Sequence, residues 1–463
     1  GGFFMKSINL KNIFEVKYAK LAFDSISIYR SLLEDDVIGS LRNLISYIDM
    51  GKINIGCAVN MYNDFFFKLV NSGYCSLQEY IMDKVIFNEN PFSMKAENKE
   101  LKKEEDVIKE AAKNDLRNLC CIAKLTSADV KESLLKYISD SKLKQIVERL
   151  PEWKTEVDFE GINSPGYVRD IKQKLYHSDN WDECIDDIED FHKHYGCGIF
   201  ARYRAFIWKH IEGKGCFKGI ENPDPIDLSD LIGYEKEHQI VIENTLQFLN
   251  GFFANNVLLH GDRGTGKSST VKAILNKYYA QGLRMIELPK SYLVDFPNII
   301  RKLKNRPEKF IIFIDDLVFG DDEESYTALK SILEGGLENK SSNIIIYATS
   351  NRRHLVKEYF NERMTSSYSG SEGEVHEGDS VQEKLSLADR FGINVVFVSP
   401  DKNKYLQIVD GIAERRKLNI DKDTLHREAL KWELWYNGRS ARTARQFVDW
   451  IEGHELIEEN NFD

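Results

Sequence analysis

From Asn256 onward, short runs of branched apolar residues alternate with longer stretches of helical periodicity, and this alternation indicates the fold class of the second half. The runs are Val257-Leu258-Leu259, Met285-Ile286-Glu287-Leu288, Ile311-Ile312-Phe313-Ile314, Ile344-Ile345-Ile346-Tyr347 and Val395-Val396-Phe397-Val398. Strands that read as continuous apolar runs are buried on both faces, so an α/β unit with five parallel strands covered by helices is predicted. After Pro400 the pattern turns wholly helical to about Gly453, which predicts a small helical lid with a frayed acidic end from Glu455 to Asp463. From Ser7 to about Trp208 the chain reads as mostly helical, with apolar residues returning at three and four positions in Ile26-Tyr29-Leu32-Leu33 and Leu134-Leu135-Ile138.

A boundary is expected at Glu221-Asn222-Pro223-Asp224-Pro225, since two closely spaced prolines discourage both helix and central strand. The predicted organisation is a helical N-terminal region over 1–218, an α/β core over 219–400 and a helical lid over 401–463. The charged stretch Lys95 to Asp115 is expected to be a solvated helix or linker. Thr365 to Ser380, rich in Ser, Gly and Glu, has little to bury and is expected to be a mobile loop.

Composition narrows the class. With 42% hydrophobic and 30% charged residues the 463-residue chain suits a soluble protein of several domains, and its apolar runs are too short to span a membrane. Gly1-Gly2-Phe3-Phe4 before Met5 lacks the zones of a secretion signal. Seven scattered cysteines without a C-x-x-C pair point to a reducing, cytoplasmic setting. A net charge of −11 argues against indiscriminate polyanion binding, so nucleic acid is not the favoured partner.

The chemistry lies at Gly261-Asp262-Arg263-Gly264-Thr265-Gly266-Lys267-Ser268, which matches G-x-x-x-x-G-K-[ST] between the first strand and the helical run Ser269 to Tyr279. Glycines there allow positive φ and let amide groups approach a phosphate, and the helix N-terminus adds positive potential. Lys267 can reach the β- and γ-phosphates of ATP, Ser268 can ligate Mg²⁺, and Ser269 continues the cradle. About fifty residues later, Ile311 to Ile314 runs into Asp315-Asp316. Asp315 suits the Mg²⁺ shell, and Asp316 can polarise an attacking water. Asp is one methylene shorter than Glu, so Glu323 or Glu324 are considered as helpers.

These elements resemble the AAA-plus P-loop ATPases and are similar to a bacterial family of AAA-plus ATP-binding proteins of uncharacterised function. The phrases that carry the likeness are Gly261 to Thr270, Tyr347-Ala348-Thr349-Ser350-Asn351-Arg352-Arg353-His354-Leu355, Glu383 to Gly392 and Gly438 to Val448, within about 190–453. The resemblance implies that the strand ending near Asn351 lies between the cradle strand and the Asp315 strand. It implies that Asn351, with Thr349 and Ser350 as neighbouring candidates, is a polar sensor of the γ-phosphate. It makes Arg390 an arginine finger acting on a neighbouring subunit, and hence the chain a homo-oligomer. Arg442 becomes a lid sensor, with Arg439 and Arg445 as alternatives on the same helix. Ile232, Gly233 and Tyr234 correspond to the segment around adenine.

Two other constellations are read as structural. His192, His194 and Cys197 lack further metal ligands at a suitable spacing, and the aromatic-basic stretch Phe200 to Lys209 is expected to be a helix that buries its rings. The expected function is ATP hydrolysis that drives conformational change in a protein partner recognised by the N-terminal region. The alternatives are a DNA-dependent loader and an ATP-gated scaffold with little turnover.

Overall fold

The computed structural model describes residues 16–98, 106–157, 159, 165–318, 323–334, 341–351, 387–436 and 438–460. The chain divides into two compact units between Arg202 and Tyr203.

The first unit is helical from Val16–Asp24 to Gly198–Arg202. Its helices start where the sequence supplies caps: Asp35 accepts from the Val37 and Ile38 amides, and the pairs Asn90–Ser93 and Thr126–Asp129 form reciprocal capping boxes. Their apolar faces converge on a core containing Phe23, Leu41, Tyr62, Phe65 and Trp181. The charged stretch Lys95 to Asp115 is helical where described, as one of the two expectations had it, but it is not solvated throughout. Residues 99–105 lie outside the described residues, but the helix Asp106–Ala123 buries Asp115 completely. Its carboxylate accepts the amides of Ser27, Ile28 and Tyr29. Burying an unpaired carboxylate is costly, and these donors offset that cost while stapling two distant segments.

The second unit rests on one sheet of β1 (Ala205–Ile211), β2 (Lys214–Gly219), β3 (Val257–Gly261), β4 (Leu283–Glu287), β5 (Lys309–Ile314), β6 (Ile344–Ser350) and β7 (Ile393–Phe397). The order is β2-β1-β4-β5-β6-β3-β7, parallel throughout except for the β1–β2 pair. The expected five strands are all present, but the sheet has seven. Instead of a helix through Lys209, the aromatic-basic stretch is a short helical turn followed by β1. The cause is local: Glu212 and Gly213 both take positive φ, 51° and 76°, which makes a two-residue turn with the twist a hairpin needs. Glutamate is not among the residues that usually mark such a turn, so the hairpin carries a weak signature. Trp208 and Phe217 then face each other across it with ring centroids 4.9 Å apart. Because β1 also pairs with β4, the compact unit begins at Tyr203, upstream of the boundary expected near residue 219.

Val257, Leu258, Leu259, Ile311, Ile312 and Ile314 have no exposed surface, as continuous apolar strands in a two-sided sheet require. Parallel crossovers bring the C-terminal ends of β3, β5 and β6 to one edge, with β6 between the other two. The helix Lys267–Tyr278 follows β3 directly. Three helices, Lys402–Arg416, Lys422–Trp435 and Ala441–Asn460, complete the unit and add Ile408, Val409, Ala444 and Phe447 to the apolar cluster that includes Val257 and Leu259. Among the described residues no helix is long and apolar enough to cross a membrane. Thr365 to Ser380 lies outside the described residues, as do the side chains of Glu323 and Glu324.

Candidate functional site

At the C-terminal edge of the sheet a cleft of about 660 Å³ opens between the β3 loop, the acidic end of β5, the end of β6 and the C-terminal helices. The loop after β3 is shaped by glycine. Gly261, Gly264 and Gly266 all have positive φ, at 128°, 75° and 96°, and a Cβ on Gly261 would stand 2.1 Å from the Phe397 carbonyl oxygen. No other residue fits that approach between β3 and β7.

Lys267 is the second buried residue of the loop, after Thr265. Its Nζ donates to the carbonyls of Gly261 (3.0 Å) and Asp262 (2.6 Å) and to Asn351 Oδ1 (3.1 Å). Burial pulls its pKa below the usual lysine value, against the opposing pull of Asp262, Asp316 and Asp315. Asn351 is therefore a bridge, since its Nδ2 also donates to Asp316 Oδ1 at 2.8 Å. Ser268 Oγ donates to Asp315 Oδ1 at 2.6 Å, and Thr349 Oγ1 donates to the same oxygen while accepting the Asp316 amide at 3.0 Å. Asp316 is held with φ of 49°, a left-handed conformation that a non-glycine residue adopts only when its surroundings enforce it. Those surroundings include the Thr349 hydroxyl and a hydrogen bond from the Leu317 amide to the Thr349 carbonyl.

The far end of the cleft is apolar and aromatic, lined by Leu231, Ile232, Tyr234, His238, Ile408 and Ile412. Burial lowers the His238 pKa and raises that of Tyr234 to about 12, so both rings are neutral. Lys404 sits 3.9 Å above the Tyr234 ring.

The expected residues divide as follows. Arg263, Gly264, Thr265, Gly266, Lys267, Ser268 and Ser269 line the cleft together with Asp315, Asp316, Asn351, Ile232, Tyr234 and Arg442. Gly261 and Asp262 stand behind it, and Gly233 is backed by Ile408, whose Cγ1 would lie 3.1 Å from an added Cβ. Arg390 closes the turn Ala388–Arg390 before β7 and does not line the cleft of its own chain. Of the three candidate arginines, Arg439 precedes the helix Ala441–Asn460 and is committed to Glu433 through bonds of 2.6 and 2.9 Å. Arg445 reaches the Asp230 carbonyl at 3.5 Å, and the Arg442 amide donates to the Gly264 carbonyl at 2.9 Å. Sequence reasoning passed over Asp230, His238, Ile408 and Ile412. His238 lies one turn beyond Tyr234, as Ile412 does beyond Ile408, a spacing that by itself says only that they share a helix face.

Residues 201–455, more than half of the chain, match the family described as protein of unknown function (DUF815). The chain belongs to that family. A 66-residue segment is 41% identical to the 26S proteasome regulatory subunit 4 homolog of Schizosaccharomyces pombe, which covers 13% of this chain and 15% of that protein. Solved structures with some likeness include the RuvB Holliday junction branch migration motor of Thermotoga maritima, at 16% identity and TM-score 0.34, and a mutant of that RuvB, at 15% and 0.35. Each likeness takes in 51% of this chain and 67% of the RuvB chain. This DUF815 member is an AAA-plus P-loop protein: the glycine cradle, the acidic end of β5 and the strand order β5-β6-β3 agree with what the resemblance implied.

His192, His194 and Cys197, in the first unit, each meet a different partner. His192 is buried with Nδ1 3.1 Å from the Gly196 carbonyl, His194 meets the Asp190 carbonyl, and Cys197 Sγ donates to Glu97. No group of three or more potential metal-binding His, Cys, Asp or Glu occurs among the described residues.

Proposed function

We propose that this chain binds Mg-ATP in the cleft and hydrolyses it, using the change of state to move the helical lid and act on a protein partner engaged by the N-terminal unit. The observation that carries the reading is the chain of contacts Ser268–Asp315–Thr349–Asp316–Asn351–Lys267, which gathers the helix after β3 and the C-terminal ends of β5 and β6 at one side of the cleft. The donor set fits the nucleotide. A buried ammonium held by neutral oxygens can transfer to phosphate oxygens, and a hydroxyl beside a carboxylate is the hard-oxygen pair that magnesium takes with phosphates and water.

In this reading Ser268 and Asp315 would hold the metal, which would supply charge screening at the phosphate oxygens. Lys267 leaves the two carbonyls for the β- and γ-phosphates. Asn351, released from Lys267, orients the water against the γ-phosphate. Asp316 accepts the water's proton as the oxygen–phosphorus bond forms and the bond to the ADP oxygen breaks. Arg442 reaches the γ-phosphate from the lid, Ile232 and Tyr234 flank the base, and Arg390 acts on the site of a second copy in a homo-oligomer. Calorimetric titration of ATP with magnesium, followed by phosphate release from the assembled protein, tests the proposal. Micromolar binding and turnover that survive DNase treatment and do not rise with added DNA support it. No binding at millimolar ATP overturns it, and strong stimulation by DNA would replace the protein partner with a nucleic acid.

A further inference from the structure

The three residues that lead from β7 into the lid are held from both ends of the cleft. On the phosphate side the Asp262 amide donates to the Phe397 carbonyl at 2.8 Å, and the Asp262 carboxylate accepts the Ser399 amide at 2.6 Å. On the other side the Tyr234 hydroxyl donates to the Val398 carbonyl at 2.7 Å. Phe397, Val398 and Ser399 are thus gripped in succession, and Pro400 and Asp401 then start the lid helix Lys402–Arg416, with Asp401 as its N-cap.

Asp262 is the unusual element here. It is the first variable position of the phosphate loop, in a place where a carboxylate facing a triphosphate would repel it. Its side chain instead turns away from the cleft, and the Ser399 amide and hydroxyl, with Lys267 behind them, hold its pKa below the usual aspartate value. Its own carbonyl accepts Lys267 Nζ. When Lys267 leaves that carbonyl for phosphate, the peptide that loses the contact is the one whose side chain holds the hinge.

We propose that Asp262 is a positioning residue that couples occupancy of the phosphate cradle to the hinge at Phe397–Ser399, and through it to the lid. The inference rests on the nucleotide site described above. The tether is short and charge-assisted, and it joins the segment that must reorganise around phosphate to the segment about which the lid must turn. A second stitch, from the Arg442 amide to the Gly264 carbonyl, joins the same loop to the lid's last helix. The loop therefore holds the lid at its entry and at its third helix, and movement of the cradle backbone reaches both.

The test compares the full-length parent with Asp262→Ala and Asp262→Asn, the latter keeping an acceptor oxygen without the charge. Three quantities are read: ATP affinity, kcat, and hydrogen exchange of residues 399–416 with and without Mg-ATP. For Asp262→Ala we expect faster exchange at Ser399 without nucleotide and loss of most of the ATP-induced change over 402–416. Its kcat should fall roughly tenfold, with a change in affinity of no more than about threefold, as for loss of one charge-assisted bond outside the ligand's reach. Asp262→Asn should recover part of both the exchange pattern and kcat. If Asp262→Ala keeps the parent's ATP-induced exchange and kcat, the coupling is wrong although the nucleotide site stands. An equal loss of affinity in both variants, with the ATP-induced exchange change intact in whatever protein binds, makes Asp262 a cradle residue only and also overturns it. A parent that binds no ATP removes the site and the coupling together.

Discussion

Replacing Lys267 with Met separates what the ammonium does for the fold from what it does for the ligand. Lys267 is 6% exposed, and its charge is held by two carbonyls and one amide oxygen at 2.6 to 3.1 Å. Its folded pKa lies below the unfolded value of 10.5 because burial disfavours the charged form. The charge therefore costs stability at neutral pH, a penalty fully present below the folded pKa and relieved as pH rises through it toward 10.5. Methionine removes the penalty and retains the stem, but it strips three oxygens of a donor at the edge of an open cleft, where water can replace it. The two effects oppose each other, so the unliganded protein should change by no more than about 1 kcal/mol, or a few degrees in Tm. Binding has no such compensation. A lost charge-assisted contact to phosphate is worth about 2–4 kcal/mol, which weakens ATP roughly 30- to 1000-fold. Differential scanning calorimetry and isothermal titration on the same preparation measure both. A folded Lys267→Met protein that binds ATP as tightly as the parent would refute the assignment of the cradle, whatever the Tm.

Four further outcomes follow from the same geometry. Asp316→Asn keeps the shape and the contact with Asn351 but cannot take a proton, so kcat should fall by about 10²- to 10⁴-fold with ATP affinity nearly intact, read by phosphate release alongside titration. Arg390→Ala should leave ATP binding unchanged and lower hydrolysis by roughly 10³-fold or more only in assembled protein; equal rates in dilute and assembled samples of parent and variant would exclude a role across subunits. Gly261→Ala pushes a Cβ to 2.1 Å from the Phe397 carbonyl at a φ of 128°, and should cost about 3 kcal/mol or more in chemical denaturation by forcing β7 from β3. In the first unit, burial lowers the His192 pKa to about 4, against 6.5 unfolded. The neutral ring's stability is intact above 6.5 and declines as pH falls toward 4, by on the order of 3 kcal/mol, and His192→Phe should flatten that slope in exchange of residues 185–195.

What the chain declares along its length is local. The continuous apolar runs at 257, 311 and 344 announce strands of a two-sided sheet because burial on both faces leaves no polar alternation, whereas the run at 285 carries Glu287 and the run at 395, on the sheet edge, leaves Val396 exposed. The cradle is legible because its glycines, Lys267 and Ser268 act within eight consecutive residues, each type required by backbone geometry or charge. Only the tertiary structure decided the rest. The β1–β2 hairpin depends on Glu212 taking a left-handed conformation, and β1 is stabilised by pairing with β4, some eighty residues away. Asp115, in a run of charges, reads as solvated until its amide donors arrive from residues 27–29. That Glu433 claims Arg439 while Arg442 and Arg445 both line the cleft, and that the Ser399 amide meets the Asp262 carboxylate, are likewise tertiary facts, because such hydrogen bonds leave no periodicity in the sequence.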